Sequence, residues 1–133
     1  SLGLVGSEMC IRDSLLIGRE FQEKSPLDDK ALIDSLSKVK LDMDLDEPID
    51  KLSGGEQQRV SIARLMLLDS DIFLLDEPSS ALDDITEDFV IKTMVDMARE
   101  NDRTIIYVTH SNDMADNYSD RIIKIVDGRV SNG

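Results

Sequence analysis

Residues 72–109 do most to limit what this chain can fold into. A short apolar run, Ile72 to Leu75, is stopped by Asp-Glu-Pro. A stretch with Ile91, Met94, Val95 and Ala98 at helical spacing follows, and then TIIYVT, Thr104 to Thr109, rich in β-branched residues. Strand, helix, strand in that order implies a right-handed crossover between parallel strands. The run IFLL shows no polar alternation, the pattern of a buried strand. An α/β fold with a mainly parallel sheet is therefore expected. In such sheets ligands gather beyond the carboxyl ends of the strands, where Asp76, Glu77 and His110 stand.

The chain has 133 residues, enough for one domain or part of one. Its 28 acidic residues against 15 basic ones give a net charge of -13, spread along the sequence, which disfavours a general nucleic-acid-binding surface. One cysteine, Cys10, excludes an internal disulfide framework, and one histidine without a nearby cysteine excludes the usual zinc spacings. A reducing, cytoplasmic setting is expected. No apolar run approaches a membrane span, and Gly3 to Cys10 has neither the basic start nor the apolar stretch of a secretory signal.

Ser1 to Ser14 show no helical or strand periodicity, and SEMCIRDS resembles translated sequencing-adapter DNA. This segment is expected to be a non-native or disordered leader whose removal leaves thermal stability nearly unchanged. Leu15 to Phe21 is apolar and short, either a strand or the first turns of a helix. In SPLDDKALIDSLSKVKL, Ser25 is placed to cap a helix, Pro26 to occupy its first position and Asp28 to complete a capping box, with Leu32, Ser35, Leu36 and Val39 on one face. DMDLDEP reads as a loop because of Pro48 and its dense like charges. A helix is expected from about Ser53 to Leu68, a short polar helix near Asp113 to Asn117, and a hairpin turn at Asp127-Gly128.

Four short segments carry the chemistry. In LSGGEQQR, Ser53 and Glu56 have capping-box spacing, and Gly54 and Gly55 leave the backbone N–H groups of the helix start open to an anion such as phosphate; a plain helix cap fits the same residues. In IFLLDEP, Asp76 suits a hydrated Mg²⁺ and Glu77 suits a proton acceptor for an attacking water, whereas a solvated acidic turn is the bland alternative. His110 suits a hydrogen bond to a phosphate oxygen or to that water, or a structural role. Asp83 suits a helix N-cap or a polar contact across an interface.

Taken together and in this order, LSGGEQQR resembles the signature motif of ATP-binding-cassette (ABC) ATPases, IFLLDE their Walker B strand, SSALD their D-loop and VTHS their switch-histidine segment. GGEQQR leans towards the transporter branch. The resemblance is strong over Lys51 to Ser111 and extends to the C-terminus. It implies a P-loop NTPase-like ABC ATPase fold, with part of the helical subdomain and the signature over about 15–68 and Walker B to the C-terminus over about 69–133. It also implies ATP and Mg²⁺ as cofactors, a second nucleotide-binding domain paired head to tail, and separate transmembrane permease subunits, with the protein on the cytoplasmic face of the membrane. In that arrangement Ser53, Gly54, Gly55, Glu56 and Asp83 serve the shared nucleotide interface. Asp76 organises the metal, Glu77 acts on the hydrolytic water, and His110 senses the γ-phosphate.

A P-loop requires Gly-Lys before Ser or Thr, and the sequence contains no Gly-Lys dipeptide and no recognisable Q-loop. The expectation is thus the C-terminal part of a cassette, inactive alone. A soluble ATPase of DNA maintenance or translation is one alternative, and a non-catalytic fragment another. The acidic balance and the lack of a coiled-coil arm weigh against the former.

Overall fold

The structure, a computed structural model of the chain, describes residues 9–20, 22 and 27–131. Its elements in order are α1 (Ile11–Glu20), α2 (Asp29–Ser37), a single 3-10 turn (Ile49–Lys51), α3 (Gly54–Met66), β1 (Ile72–Asp76), α4 (Asp84–Glu100), β2 (Thr104–Val108), α5 (Asn112–Tyr118) and the strands β3 (Lys124–Val126) and β4 (Arg129–Ser131). β1 and β2 pair in parallel, with Ile72 opposite Thr104 and Asp76 opposite Val108, so α4 is the crossover. β3 and β4 form a separate antiparallel hairpin. Asp127 and Gly128 at its tip both have positive φ, 49° and 74°, as a two-residue primed turn demands.

α3 is the element that the two halves share, since it packs against α1, α2 and α4. Val60, Ile62 and Ala63 are its buried residues. They join Leu32, Leu36 and Val39 on one side and Val90, Ile91 and Met94 on the other in one continuous apolar cluster. The expected face of α2 is thus buried as its spacing dictates. The start of α2 differs: Asp28 is itself the N-cap, its carboxylate accepting from the Ala31 N–H at 2.9 Å. Ser25 and Pro26 lie outside the described residues. An acidic side chain at the cap satisfies an orphan donor and favours the positive end of the helix dipole, so no serine is needed there.

The boundary expected at Ser14 falls inside α1. Ile11 and Leu15 are fully buried, and Ser14 is buried with them. The backbone N–H groups of Ile11 and Arg12 donate to the carbonyls of Glu47 and Leu45 at 3.0 and 2.9 Å, and Cys10 bridges to Pro48. Arg12 pairs with Asp29 at 3.2 Å and also with Asp46. Hydrogen bonds first to Asp29 and then to Asp46 push its guanidinium further above its ordinary range. The acidic loop after α2 supplies the two carbonyls and the Asp46 carboxylate that hold this segment, and the first residue of α2 supplies the Asp29 carboxylate, a tertiary partnership that local periodicity does not reveal. The rest of the expected leader, residues 1–8, lies outside the described residues.

Ile11→Ala is therefore expected to lower stability in urea unfolding by about 2–4 kcal/mol, through lost burial and an unfilled cavity. A change below about 0.5 kcal/mol, the range of an ordinary surface substitution, would show that the start of α1 contributes nothing.

β1 departs from a strand buried on both faces. Phe73 and Leu75 are buried, while Ile72 and Leu74 are 59% and 74% exposed, and Ile106 and Val108 of β2 are exposed beside them. Apolar residues on both faces of a strand call for two covering layers. Among the described residues, one face of this sheet is covered.

Candidate functional site

The site is assembled around the turn that follows β1. The Glu77 N–H donates to the Val108 carbonyl at 2.9 Å, which carries the parallel ladder one residue beyond the strand. Glu77 then takes φ of 44°, a left-handed conformation that costs a non-glycine residue about 1–2 kcal/mol. Such strain persists where surrounding bonds fix it, and it concentrates at functional sites. Here it turns the chain sharply into Pro78, leaving adjacent acids with different surroundings. Asp76 is exposed at the strand end, and its carboxylate accepts no hydrogen bond among the described residues. Glu77 is half-buried, with its Oε1 3.0 Å from His110 Nε2.

His110 reaches that position because β2 runs parallel to β1 and ends at the same edge, as the order of strands implies. Its ring is otherwise in solvent, 91% exposed. A histidine so exposed contributes little to the core. Between the turn and β2 lies a pocket of about 180 Å³ bordered by Glu77, Ser80, Glu87, Tyr107, Thr109 and Ser111. Ser79 is buried in its wall and donates to Glu87 Oε1 at 2.6 Å, fixing the turn to the first part of α4.

At the other side of the turn, Ser53 caps α3. Its hydroxyl accepts from the Glu56 N–H at 3.2 Å while Glu56 Oε1 accepts from the Ser53 N–H at 2.9 Å, a complete capping box. The Ser53 N–H, and then its hydroxyl, hold the Glu56 carboxyl below its usual range. Glu56 is therefore engaged in holding the helix start. Asp83 is the N-cap of α4: the N–H and then the hydroxyl of Thr86 hold its carboxyl below its usual range. Within this chain its carboxylate performs the capping role.

The two signature glycines separate into different roles. A Cβ on Gly54 would meet nothing within 4 Å, so its face of the helix start is open. A Cβ on Gly55 would sit 2.9 Å from the Ala81 carbonyl oxygen, a backbone atom that has to move to admit it. Gly55→Ala is expected to cost about 1–3 kcal/mol as an overpacked contact. Gly54→Ala, by contrast, should leave stability unchanged or raise it by up to about 1 kcal/mol through lower unfolded-state entropy. Equal effects of the two substitutions in denaturant unfolding would show that Ala81 does not lie against α3.

Gln58 is the site residue that the motifs alone did not single out. Its Nε2 donates to Ser80 Oγ and its Oε1 accepts from the Ala81 N–H, both at 2.9 Å. The spacing carried a signal, because Gly55 and Gln58 are three residues apart on a helix and must face the same neighbour. Among the described residues, no three His, Cys, Asp or Glu side chains converge as a metal cluster, and no helix is long and apolar enough to cross a membrane.

Solved structures identify which α/β class this is. With 28% identity and a TM-score of 0.81, 92% of this chain matches 54% of the dimeric ABC transporter cassette MJ0796, and a post-hydrolysis structure of the same cassette, bound to ADP and Pi, matches equally. The fold is that of an ABC nucleotide-binding domain, as LSGGEQQR, IFLLDE, SSALD and VTHS imply. The sequence profile of the ABC transporter family matches residues 2–80, more than half of the chain, and the chain belongs to that family. It is 42% identical over 105 residues to the phosphonates import ATP-binding protein PhnC 2 of Haloarcula marismortui, an alignment covering 79% of this chain and 39% of that protein. The chain thus spans about two-fifths of this curated relative and half of the solved cassette.

Proposed function

We propose that the chain supplies the signature, Walker B, D-loop and switch-histidine segments of a transporter's ATP-hydrolysing subunit. The pairing of Glu77 with His110, 3.0 Å apart at the edge where two parallel strands end, carries this reading. In it Glu77 accepts a proton from the attacking water and His110 holds a γ-phosphate oxygen or that water in place. Phosphoryl transfer gains more from such positioning and charge stabilisation than from covalent chemistry. Ser53, Gly54 and Gly55 serve a nucleotide held by a partner domain, with the open face of Gly54 allowing close approach of phosphate to the backbone. Glu56 acts there by capping α3, the helix that presents these residues, and Asp83 by capping α4.

Mg²⁺ and ATP fit the donor set. Asp76 offers an exposed carboxylate that accepts no hydrogen bond among the described residues, suited to a cation that keeps most of its water and takes one or two carboxylates with phosphate oxygens. Bound there, the metal neutralises phosphate charge. The phosphate cradle of a P-loop is not among these residues, since the sequence has no Gly-Lys. We place the helical subdomain and signature before residue 69, beginning with α1, and Walker B to the C-terminus after it. The second nucleotide-binding domain in a head-to-tail pair, permease subunits and a position on the cytoplasmic membrane face belong to the same proposal. The dimeric state of the similar cassette and the transport role in the relative's name support them.

The test is a chimera joining residues 9–133 to the segment that precedes the corresponding position in the MJ0796 cassette. It is expected to bind and hydrolyse MgATP. A folded chimera that does neither overturns the reading.

A further inference from the structure

We propose that Gln58 is a positioning residue that locks the turn after Glu77 to the N-terminal part of α3, so that the two ends of the proposed site move as one body. This inference rests on the ATPase reading for its consequence, but the lock itself is a matter of geometry. The side-chain amide of Gln58 meets the turn twice, through Ser80 Oγ and the Ala81 N–H, both at 2.9 Å. Three residues earlier on the same helix, Gly55 lets the Ala81 carbonyl approach to a distance that a Cβ would forbid. The turn is also tied back to its own start, because the Ser80 N–H donates to the Glu77 carbonyl at 3.4 Å and the Leu82 N–H to the Ser79 carbonyl at 3.0 Å. Its far side is held to α4 by Ser79 and Glu87 at 2.6 Å.

A continuous set of bonds therefore runs from the backbone of Glu77 through Ser80 and Ala81 to Gln58, one helical turn from Gly54. Glu77 faces one nucleotide in the proposed arrangement, and Ser53 to Gly55 face the other. A displacement at either end is passed on by Gln58, whose primary amide supplies the donor for one contact and the acceptor for the other.

The experiment compares the 133-residue chain with its Gln58→Leu and Gln58→Glu variants by residue-resolved amide hydrogen exchange. Leucine keeps the bulk and the helix propensity but removes both bonds. Glutamate still accepts from the Ala81 N–H and from the Ser80 hydroxyl. In Gln58→Leu the Ala81 amide is expected to exchange at least about tenfold faster, while amides in the middle of α3 stay within about twofold. Gln58→Glu is expected to restore protection. Unchanged exchange at Ala81 in the leucine variant overturns the lock, as does an equal acceleration throughout α3, which would mean that Gln58 supports only the helix.

A second measurement reads the consequence in the MgATP-hydrolysing chimera. There Gln58→Leu is expected to lower kcat roughly tenfold with the MgATP Kd unchanged, and Gln58→Glu to recover it, because misplacing catalytic groups costs rate more than affinity. Unchanged kcat alongside a released Ala81 amide overturns the positioning role. A folded wild-type chimera with no turnover would instead mark failure of the ATPase reading, with Ala81 exchange alone deciding whether the lock exists.

Discussion

Glu77→Gln in the chimera is expected to slow MgATP hydrolysis by about 10²- to 10⁴-fold, the usual loss when a general base is removed, while leaving the MgATP Kd unchanged. The substitution retains the size of the side chain and keeps an acceptor oxygen for His110, whose Nε2 lies 3.0 Å from Oε1. What it removes is basicity. Affinity should be spared because Asp76, the residue proposed to hold Mg²⁺, precedes the strained position and is unaltered. Phosphate release under saturating nucleotide measures kcat, and equilibrium titration measures Kd. Near-normal kcat would remove Glu77 from the chemistry. A parallel loss of affinity would mean that Glu77 holds nucleotide and does not act on water.

Much of this site was legible because short-range rules govern its parts. Ser53 and Glu56 form the capping box that their spacing specifies, and Asp83 caps α4 as its residue type allows. His110 meets Glu77 because strand, helix, strand forces β1 and β2 to end at one edge. What escaped the sequence depends on contacts between distant segments. Ile11 is buried because the loop at Leu45 to Glu47 offers its carbonyls to α1, and no periodicity in Ser1 to Ser14 announces this. The beginning of α2 was misplaced because Asp28 is sufficient as a cap without Ser25. The different roles of Gly54 and Gly55 emerge only when Ala81 is brought against the helix. Burial of Ile72 and Leu74 was overestimated for a related reason: an apolar run specifies that both faces suit burial, but what lies on each face is set elsewhere.

The 133-residue chain alone is expected neither to bind MgATP tightly nor to hydrolyse it above background. Asp76, Glu77 and His110 offer a metal ligand, a base and a polar contact, but the β- and γ-phosphates also require a backbone cradle and a lysine, and no lysine here follows a glycine. Electrostatic stabilisation of the transferring phosphoryl group is then incomplete. Pairing two copies does not repair the deficit, since the signature helix complements a P-loop that neither copy supplies. The shortfall should be all or none, in contrast to the graded loss produced by Glu77→Gln.

Whether these residues form one part of a divided ATPase site is decided by MgATP binding and phosphate release measured side by side on the 133-residue chain and on the chimera that adds a P-loop segment. No tight binding and no turnover are expected for the chain, and both for the chimera. Robust turnover by the chain alone, abolished by Glu77→Gln so that a contaminating ATPase is excluded, would contradict that division.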